Sequence, residues 1–450
     1  MKKPRSTSPD ANEGNSPRRV ALIALVLGCV TFGANTPRAT AADKLTDQSN
    51  FALEPVHGPV LGGSRMIGLA GAYTAIAEES IGIPFNPAAV ANRTYYSQSK
   101  FDWDLSFDFI LPGIFQSDDF DFDTNGRPAD YDFIVFNITG QLQYGGFGGG
   151  VAYRSQIFTV TDPSDKATVF DFDLSIIQIS LGYAFFSHQL VIGAGGRIGR
   201  FEVRYGGSQI KLFAVQGGGY EAGAVLRPRR WPVRLAVSFS SPLTSNKVQI
   251  ACKVGQCPKA FKMPTGVALP WELRAGVAYR FGDRSFNPRP TFAAPKRKTP
   301  TASQPASRPV SGKGAAAAPK KKAVDLDQQY RGGFYVMVSA EAAIVGAVDN
   351  AISYDGFIGQ IGERSGTSVT VSPRLGIESE VLRRRLRLRA GTYYEPNRID
   401  GGSGRIHGTF AAALRLFDFS LWGARSLRFA TAIDFARQYS NLSLSLGFWH

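Results

Sequence analysis

Residues 101–109 read FDWDLSFDF, and this stretch decides the fold. Phe, Trp or Leu occupies every odd position, and Asp or Ser occupies every even position. Because successive side chains of a β-strand point to opposite faces, this period of two predicts a strand with one apolar and one polar face. The same alternation returns in residues 271–281, 386–394 and 442–448. Runs of about ten residues exceed the strands of soluble sandwiches, which favours a transmembrane β-barrel.

Applied along the chain, the alternation predicts an all-β, antiparallel barrel of about fourteen strands, an even number typical of bacterial outer-membrane barrels. A soluble β-sandwich is the alternative. With the N-terminus in the periplasm, connections after odd-numbered strands face outward and the others face inward. We expect a bulge near Ile176 and Ile177, where the apolar alternation changes phase. The predicted strands are residues 99–110, 132–144, 147–160, 169–185, 190–204, 209–226, 233–240, 269–282, 332–344, 367–379, 385–395, 405–416, 426–436 and 441–450.

The net charge of +15 on 450 residues suggests a nucleic-acid binder, but the distribution of the charge argues against one. Residues 1–41 carry +4 and residues 283–328 carry +7, so the remainder is only mildly basic. No folded basic face is therefore implied, and we expect no nucleic-acid partner.

The N-terminal residues 1–41 have the features of a secretory signal peptide. Arg18 and Arg19 precede the apolar run Val20–Gly33, and residues 39–41 are small, as a cleavage site requires. An exported barrel predicts the outer membrane of a Gram-negative bacterium.

A second unusual segment, residues 283–328, contains seven Pro, nine Ala and ten Lys or Arg. This composition cannot bury a core and predicts a flexible periplasmic linker. The linker is either an inert spacer or a basic tether for the cell wall or a periplasmic partner. It separates the first eight barrel strands, within residues 95–282, from the last six, within residues 329–450.

Two loops carry candidate chemistry. Cys252 and Cys257 lie close together in a loop, which predicts a local disulfide in an oxidising compartment. The first long outer loop matches the spacing of a calcium-binding loop, although a solvated acidic loop is the alternative. No other cofactor or metal is expected. The candidate calcium ligands are Asp121, Asp123, Asn125 and Asp132.

The segment before the first strand, residues 42–94, differs from the strands because it lacks alternation and is rich in small residues. Such a segment suits short helices packed closely inside a lumen. It resembles the N-terminal plug of the FadL-type outer-membrane transporters and the related PorV-like barrels. There, a small-residue run, an acidic pair and Asn-Pro-Ala follow one another. The residues that carry the resemblance are Gly63, Ser64, Arg65, Gly68, Gly71, Glu78, Glu79, Asn86, Pro87 and Ala88.

The resemblance implies a plugged barrel that takes hydrophobic molecules from outside, often releasing them sideways through a kinked third strand. Here that strand opens with a Gly-rich run at residues 147–150, which permits an inward bend or accommodates crowding by the plug. The chain departs from the family at Glu78 and Glu79, where Asp is usual, and at Ala89, where Gly is common. These departures leave the subfamily open.

Charged residues are also expected to face the lumen. An arginine row on the eleventh strand can steer anions, but pairing with lumenal carboxylates such as Glu395 is the stronger interpretation. The Gly-rich residues 193–199 imitate a dinucleotide-binding motif but lack the following helix. A hydrolase around His407 would need a Ser and an acid beside it, and no motif supports one. The lumenal charges are Asp102, Asp104, Arg385, Arg387 and Arg389.

Two functions follow from these features, neither of them enzymatic. The first is passive uptake of hydrophobic molecules, such as fatty acids or other lipid-like solutes, by a monomer surrounded by outer-membrane lipids and lipopolysaccharide. The second is a non-transporting barrel that anchors an envelope assembly for secretion, adhesion or motility. An apolar pocket inside the barrel, beneath the plug, would favour uptake. A lumen filled with charge, with any apolar groove confined to the outer loops, would favour anchoring.

Overall fold

The computed structural model describes most of the barrel and plug segments. The predicted disulfide at Cys252 and Cys257, the predicted calcium ligands at 121–132 and the signal peptide lie outside the described residues. The described residues are 50–55, 58–94, 97, 99–114, 133–161, 169–206, 210–245, 248–250, 262–282, 284–290, 334–421 and 424–449.

Fourteen long strands form the wall of a closed antiparallel barrel, which confirms the predicted fold class. Each strand pairs with the next, and the last pairs with the first from Asn441 opposite Pro112 to Leu446 opposite Phe107. The wall strands are β1 Phe101–Pro112, β2 Phe133–Tyr144, β3 Phe147–Thr161, β4 Val169–Phe185, β5 Leu190–Tyr205, β6 Lys211–Leu226, β7 Val233–Ser240, β8 Glu272–Gly282, β9 Tyr335–Val345, β10 Thr370–Leu382, β11 Leu386–Glu395, β12 Arg405–Ser420, β13 Ala424–Ala436 and β14 Tyr439–Phe448.

Helices are short. The α-helices are α1, Ser64–Gly68, and α2, Tyr354–Gly359, and two 3-10 turns span Ser80–Gly82 and Pro87–Ala91. Among the described residues, no helix combines the length and apolarity needed to cross a bilayer.

The strand alternation places apolar side chains outside and polar ones inside. On β1, Phe107 and Phe109 are exposed on the outward face, whereas Asp104 and Asp108 are buried inside. In water the exposed apolar side chains would be unfavourable, but in a bilayer they contact lipid. The barrel therefore belongs in an outer membrane.

The two ends of the barrel differ in the length of their connections. Five of the six connections after even-numbered strands contain only two to six residues. This is the inner, periplasmic end, because short periplasmic turns are typical of these barrels. The short strand Ala52–Leu53 pairs in parallel with Gly266–Val267 and with Ala351–Ile352, in connections at the other, outer end. We expected the N-terminal side of the plug segment in the periplasm. Residues 50–55 lie instead at the outer end, and the chain runs inward through the lumen to reach β1.

The bulge expected near Ile176 and Ile177 is absent, because the register of β4 with both neighbours runs without a shift through these residues. The apolar residues change phase because they lie on the lumenal face of β4 in one half of the strand and on the outward face in the other half. In the outer part of the strand, the apolar side chains point into the lumen. In the inner part, the apolar side chains point outward to the lipid. The buried lumenal residues of the outer part are Phe170, Phe172, Leu174 and Ile176, and the exposed outward residues of the inner part are Ile177, Ile179, Leu181 and Tyr183.

The third strand, β3, shows no kink, because its pairing with β2 and β4 is continuous from Phe147 onward. Its glycines make room for the plug. A Cβ atom at Gly148 would overlap the carbonyl oxygen of Val90, and one at Gly193 on β5 would lie 2.4 Å from backbone atoms of Pro87 and Ala88. Crowding by the plug, rather than a lateral bend, therefore accounts for Gly148 and Gly193.

Residues 284–290, which we assigned to the linker, pack against the inner end of the wall. Phe286 and Asn287 are buried, and Arg284 forms an ion pair with Glu380 of β10 at 3.2 Å. The segment without a packed core therefore begins later than residue 283, and residues 291–328 lie outside the described residues.

We predict that Gly193→Val displaces the plug, because the new side chain would overlap the backbone at Pro87. Gly196→Val, on the lipid-facing side of the same strand, has no atom nearer than 3.9 Å to the new Cβ and serves as the control. Limited trypsin digestion of the assembled barrel measures the difference. Cleavage after buried Arg65 or Arg93 is expected only in Gly193→Val. Resistance equal to that of the control would contradict the close fit.

Candidate functional site

An aromatic cluster fills the outer part of the lumen. The lumenal rings of Phe158 on β3 and Phe172 on β4 stack at 5.0 Å, with 7° between their planes. Tyr354, from α2 in the connection after β9, meets them edge-on at 5.1 Å and 5.0 Å. Helix α2 holds this position because the Ser353 hydroxyl accepts the backbone N–H of Gly356 as its N-terminal cap, at 2.9 Å. A loop helix thus closes an apolar compartment whose walls are barrel strands.

A small apolar pocket of about 20 Å³, enough for one water molecule, lies beside this cluster and is partly open to solvent. Its walls come from strands β4 to β6, from the connection before β8 and from the plug segment at Pro55. We call the pocket together with the aromatic cluster the outer chamber. The pocket-lining residues are Pro55, Leu174, Gly199, Arg200, Phe201, Val215, Gly217, Leu243, Ser245, Val267 and Leu269.

Arginines lie at the inward side of the outer chamber. On β5, Arg197 is the lumenal residue one position further inward than Gly199 of the pocket. It donates to the carbonyl of Ser241 at 2.6 Å. Arg274 of β8 lies 4.3 Å above the ring of Phe85 in the plug and pairs with Glu272 at 2.8 Å. The Nε atom of Arg154 is buried without a hydrogen-bond partner among the described residues. We call these three arginines the basic floor.

Arg65 of the plug is the centre of a buried ion-pair network. Its Nη1 donates to Glu79 Oε1 at 2.5 Å, and its Nε donates to Glu378 Oε2 of β10 at 3.0 Å. Each carboxylate also binds a wall arginine: Arg428 of β13 lies 2.6 Å from Glu79, and Arg389 of β11 lies 2.6 Å from Glu378. All five side chains are buried. The network joins the plug to three strands on one side of the wall.

Glu78 joins the plug to the opposite side of the wall. Arg234 of β7 donates to Glu78 Oε1 at 2.7 Å and to the carbonyl oxygen of Ile76 at 3.1 Å. Burial opposes ionisation of Glu78, but the charges of Arg234 and Arg65 outweigh it and lower the pKa of Glu78 from 4.5 to about 2. Glu78 is therefore a carboxylate at neutral pH. The acidic pair thus contacts opposite sides of the wall.

The Asn-Pro-Ala part of the motif shapes the plug backbone. The Asn86 side chain accepts the backbone N–H of Ala88 at 3.0 Å and caps the 3-10 turn that Pro87 begins. Its Nδ2 donates to the carbonyl of Thr74 at 3.2 Å, which joins two turns of the plug. Asn has both an acceptor and a donor, and this position uses both.

The small residues of the motif lie where the plug meets the wall. Ser64 donates its backbone N–H to the Ser445 hydroxyl at 2.9 Å. A Cβ atom at Gly68 would lie 2.3 Å from that of Ala411, and one at Gly63 would lie 2.6 Å from an Asp108 oxygen. Gly71 has a φ of 74°, a conformation that favours glycine. The motif residues therefore all lie in the plug or at its contact with the wall.

The predicted row of lumenal arginines is shorter than expected. Arg387 and Arg389 are buried on the lumenal face of β11, but Arg385 lies in the turn before this strand and is exposed. The partners also differ from the prediction, because Arg387 pairs with Glu380 at 3.2 Å rather than with Glu395. The turn at residues 383–385 ends one residue later than the predicted strand start at 385 implied, which removes Arg385 from the row.

The predicted acids Asp102 and Asp104 are buried on the lumenal face of β1 but do not pair with the row on β11. Asp102 accepts from Arg425 of β13 at 2.5 Å, and Asp104 accepts the backbone N–H of Ser80 at 2.6 Å. Strands β1 and β11 lie four positions apart around the wall. The two acids therefore bind groups that lie closer to β1 than the arginines of β11 do.

His407 lies between two acids. Its Nδ1 contacts Asp434 at 2.8 Å and its Nε2 contacts Glu395 at 2.7 Å. Since both ring nitrogens bind carboxylates, neither is available to activate a serine hydroxyl. The hydrolase interpretation therefore has the acid that it needs but no serine on the ring.

Metal sites are not seen in the described part of the chain, where no three His, Cys, Asp or Glu side chains are arranged to hold an ion. The candidate calcium loop lies outside that part. Calcium binding stays a prediction.

Sequence reasoning missed the wall residues that receive the plug, above all Glu378, Arg234 and Arg428. A single charge on a lumenal strand face has no local pattern that names its partner. The outer chamber did leave a signal, since the exchange of apolar faces at Ile176 and Ile177 marks the level at which the lumen becomes apolar.

We predict that Glu378→Ala strongly destabilises the protein, because it leaves Arg65 and Arg389 without their shared carboxylate in a buried site. Breaking such a pair costs about 3–5 kcal/mol. Urea unfolding in detergent, followed by tryptophan fluorescence, measures the change. The control is Asp418→Asn, whose side chain is 64% exposed and pairs with Arg415. We expect the control to cost less than about 1 kcal/mol, and equal losses would contradict the network.

The lowered pKa of Glu78 predicts how stability changes with pH. A carboxylate with a depressed pKa stabilises the folded state fully above its unfolded-state pKa of 4.5 and progressively less as the pH falls to about 2. The difference in unfolding midpoint between wild type and Glu78→Gln should therefore be constant near neutral pH and shrink over that window. A difference that persists at pH 2 would show that the charge of Glu78 does not hold the plug.

The comparisons with known proteins identify the fold. No protein-family model matches the chain, and no curated protein sequence matches it. A solved FadL homologue from Pseudomonas aeruginosa aligns with 89% of this chain and 99% of its own, at a TM-score of 0.51 and 13% identity.

Two hydrocarbon channels also align, with lower TM-scores. The CymD monoaromatic hydrocarbon channel covers 86% of this chain and 96% of its own, at 0.48 and 10% identity. The Pseudomonas putida toluene transporter TodX covers 88% of this chain and 98% of its own, at 0.44 and 11% identity. The alignment with the solved FadL homologue shows that the chain has the FadL fold.

Proposed function

We propose that this protein mediates passive uptake of hydrophobic molecules across the outer membrane. The observation that carries the proposal is the outer chamber, an apolar compartment lined by Phe172, Phe201 and Val215 inside the barrel wall. An outer-membrane barrel lumen is ordinarily polar, so an apolar lumen needs a reason, and an apolar solute is one. No catalytic step is part of this function.

Two proteins of similar fold carry hydrophobic solutes, which agrees with this proposal. The solved TodX protein is a toluene transporter and CymD is a monoaromatic hydrocarbon channel. For this chain, we infer lipid-like solutes with an anionic head, such as fatty acids. The apolar side chains of the outer chamber would move apart to take the chain of such a molecule, and the basic floor of Arg154, Arg197 and Arg274 would attract its carboxylate.

The plug is the barrier to be passed. It fills the lumen below the outer chamber and is held by buried ion pairs at Arg65 and Glu78. A solute that reaches the basic floor meets Arg274, which packs on Phe85 of the plug. In the proposed mechanism, a competing carboxylate weakens the plug contacts and the plug shifts to let the solute pass.

The second candidate function is a non-transporting barrel that anchors an envelope assembly. The observation that favours it is the density of buried ion pairs between plug and wall, exemplified by Arg65 with Glu378, which stabilises a closed lumen. The two functions differ in a simple measurement. Purified protein in lipid vesicles should admit a labelled long-chain fatty acid faster than protein-free vesicles, and equal rates would favour anchoring.

We predict that Val215→Asp slows this uptake, because a carboxylate in the wall of the outer chamber disfavours an apolar solute. A cost of about 1.4 kcal/mol corresponds to a tenfold lower rate, and a buried charge costs at least that much. Gln216→Asp places the same charge on the exposed outer face of the neighbouring position and should leave uptake unchanged. Equal rates in the two variants would remove the outer chamber from the route.

A further inference from the structure

Residues 284–287 form a plate at the inner end of the lumen, directly after β8. Phe286 is 2% exposed. Its ring lies 4.0 Å from the guanidinium carbon of Arg234 on β7 and 4.4 Å from that of Arg280 on β8. Arg284, at the start of the plate, reaches Glu380 of β10 at 3.2 Å. The plate thus contacts lumenal side chains of three wall strands.

Asn287 fixes the other end of the plate. Its Nδ2, which has two hydrogens to donate, lies within hydrogen-bond distance of three backbone carbonyls in and after the turn between β6 and β7, those of Pro228 at 2.9 Å, Trp231 at 3.1 Å and Val233 at 2.9 Å. Its Oδ1 accepts from Arg234 Nε at 2.9 Å. A spacer with no folded role would not bury an amide with this set of partners.

One arginine joins the plate to the plug. Arg234 Nη2 donates to the carbonyl of Phe286 at 2.7 Å, while its Nη1 donates to Glu78 of the plug at 2.7 Å. The same guanidinium therefore binds both segments. It can bind both at once only while the plate is in place. Displacing the plate removes two of its hydrogen bonds, the one to Phe286 and the one to Asn287.

We propose that residues 284–287 are an inner gate, a second barrier on the periplasmic side of the plug that opens for solute release. In the closed state, Phe286 covers two buried guanidinium groups. When the gate opens, Arg234 and Arg280 meet water and become available to the anionic head of a departing solute.

The inner gate rests on the proposed uptake function but makes a separate prediction about access. Ala278 is a fully buried lumenal residue of β8, one inward-facing position from Arg280. An Ala278→Cys reporter, with Cys29, Cys252 and Cys257 replaced by Ser, measures whether a water-soluble maleimide reaches the lumen behind the gate. The protein is reconstituted in vesicles with its full chain, and the labelling rate is recorded.

We expect Asn287→Ala to raise the labelling rate of the reporter at least about tenfold, because the gate loses its hydrogen bonds to the β6–β7 turn. Ser285→Ala changes an exposed side chain of the same segment and is the matched control. Phe286→Tyr keeps the aromatic ring and should label as slowly as the parent, whereas Phe286→Ala should label faster. Heat-modifiable migration on gels verifies that each variant forms a barrel.

Equal labelling of Asn287→Ala, Phe286→Ala and the parent would overturn the inner gate. Faster labelling of Ser285→Ala to the same extent would also overturn it. If fatty-acid uptake is absent in every protein while Asn287→Ala still labels faster, the uptake function fails and the gate stands. Faster labelling together with faster uptake supports both.

Discussion

The position of the Arg65 guanidinium is the constraint on which the rest of the structure depends. A cation inside a barrel, away from bulk water, is costly unless carboxylates or other hydrogen-bond acceptors lie close by. One of its carboxylates, Glu79, belongs to the plug and another, Glu378, belongs to the wall. Because each of these binds a further wall arginine, plug and wall must fit together to within a hydrogen-bond length. The close approaches at Gly148 and Gly193 follow from the same fit.

The second organising feature is the exchange of strand faces along the barrel axis. In the inner part, β4 presents Ile179 and Leu181 outward and polar side chains inward, as a membrane requires. In the outer part it presents Phe170 and Phe172 inward. A strand that extends past the bilayer can thus form a lipid-facing apolar surface in its inner part and the wall of an apolar chamber in its outer part. The chamber ends at the basic floor, where the plug begins.

The strands were predictable from the sequence, because strand alternation is a local pattern. Alternation in residues 101–109 needs only its own neighbours to be recognised, and the short spacing of the plug motif is also local. Partners across the lumen were not predictable, since the residues that bind each other, such as Arg65 and Glu378, are separated by hundreds of positions. Arg385 was misplaced because a run of arginines does not show where a turn ends and a strand begins. The inner gate was not predicted, because Phe286 and Asn287 lie in a segment whose Pro-rich composition as a whole indicated a linker without a packed core.

We infer that residues 64–94 form a plug locked to the wall. Hydrogen–deuterium exchange of the protein in lipid vesicles tests it most directly, because exchange reports opening of each segment. We predict that backbone amides of Tyr73, Ser80 and Ala88, which donate to buried acceptors, exchange as slowly as those of the wall strands. Exchange of these amides as fast as that of the exposed turn at residues 383–385 would contradict a locked plug.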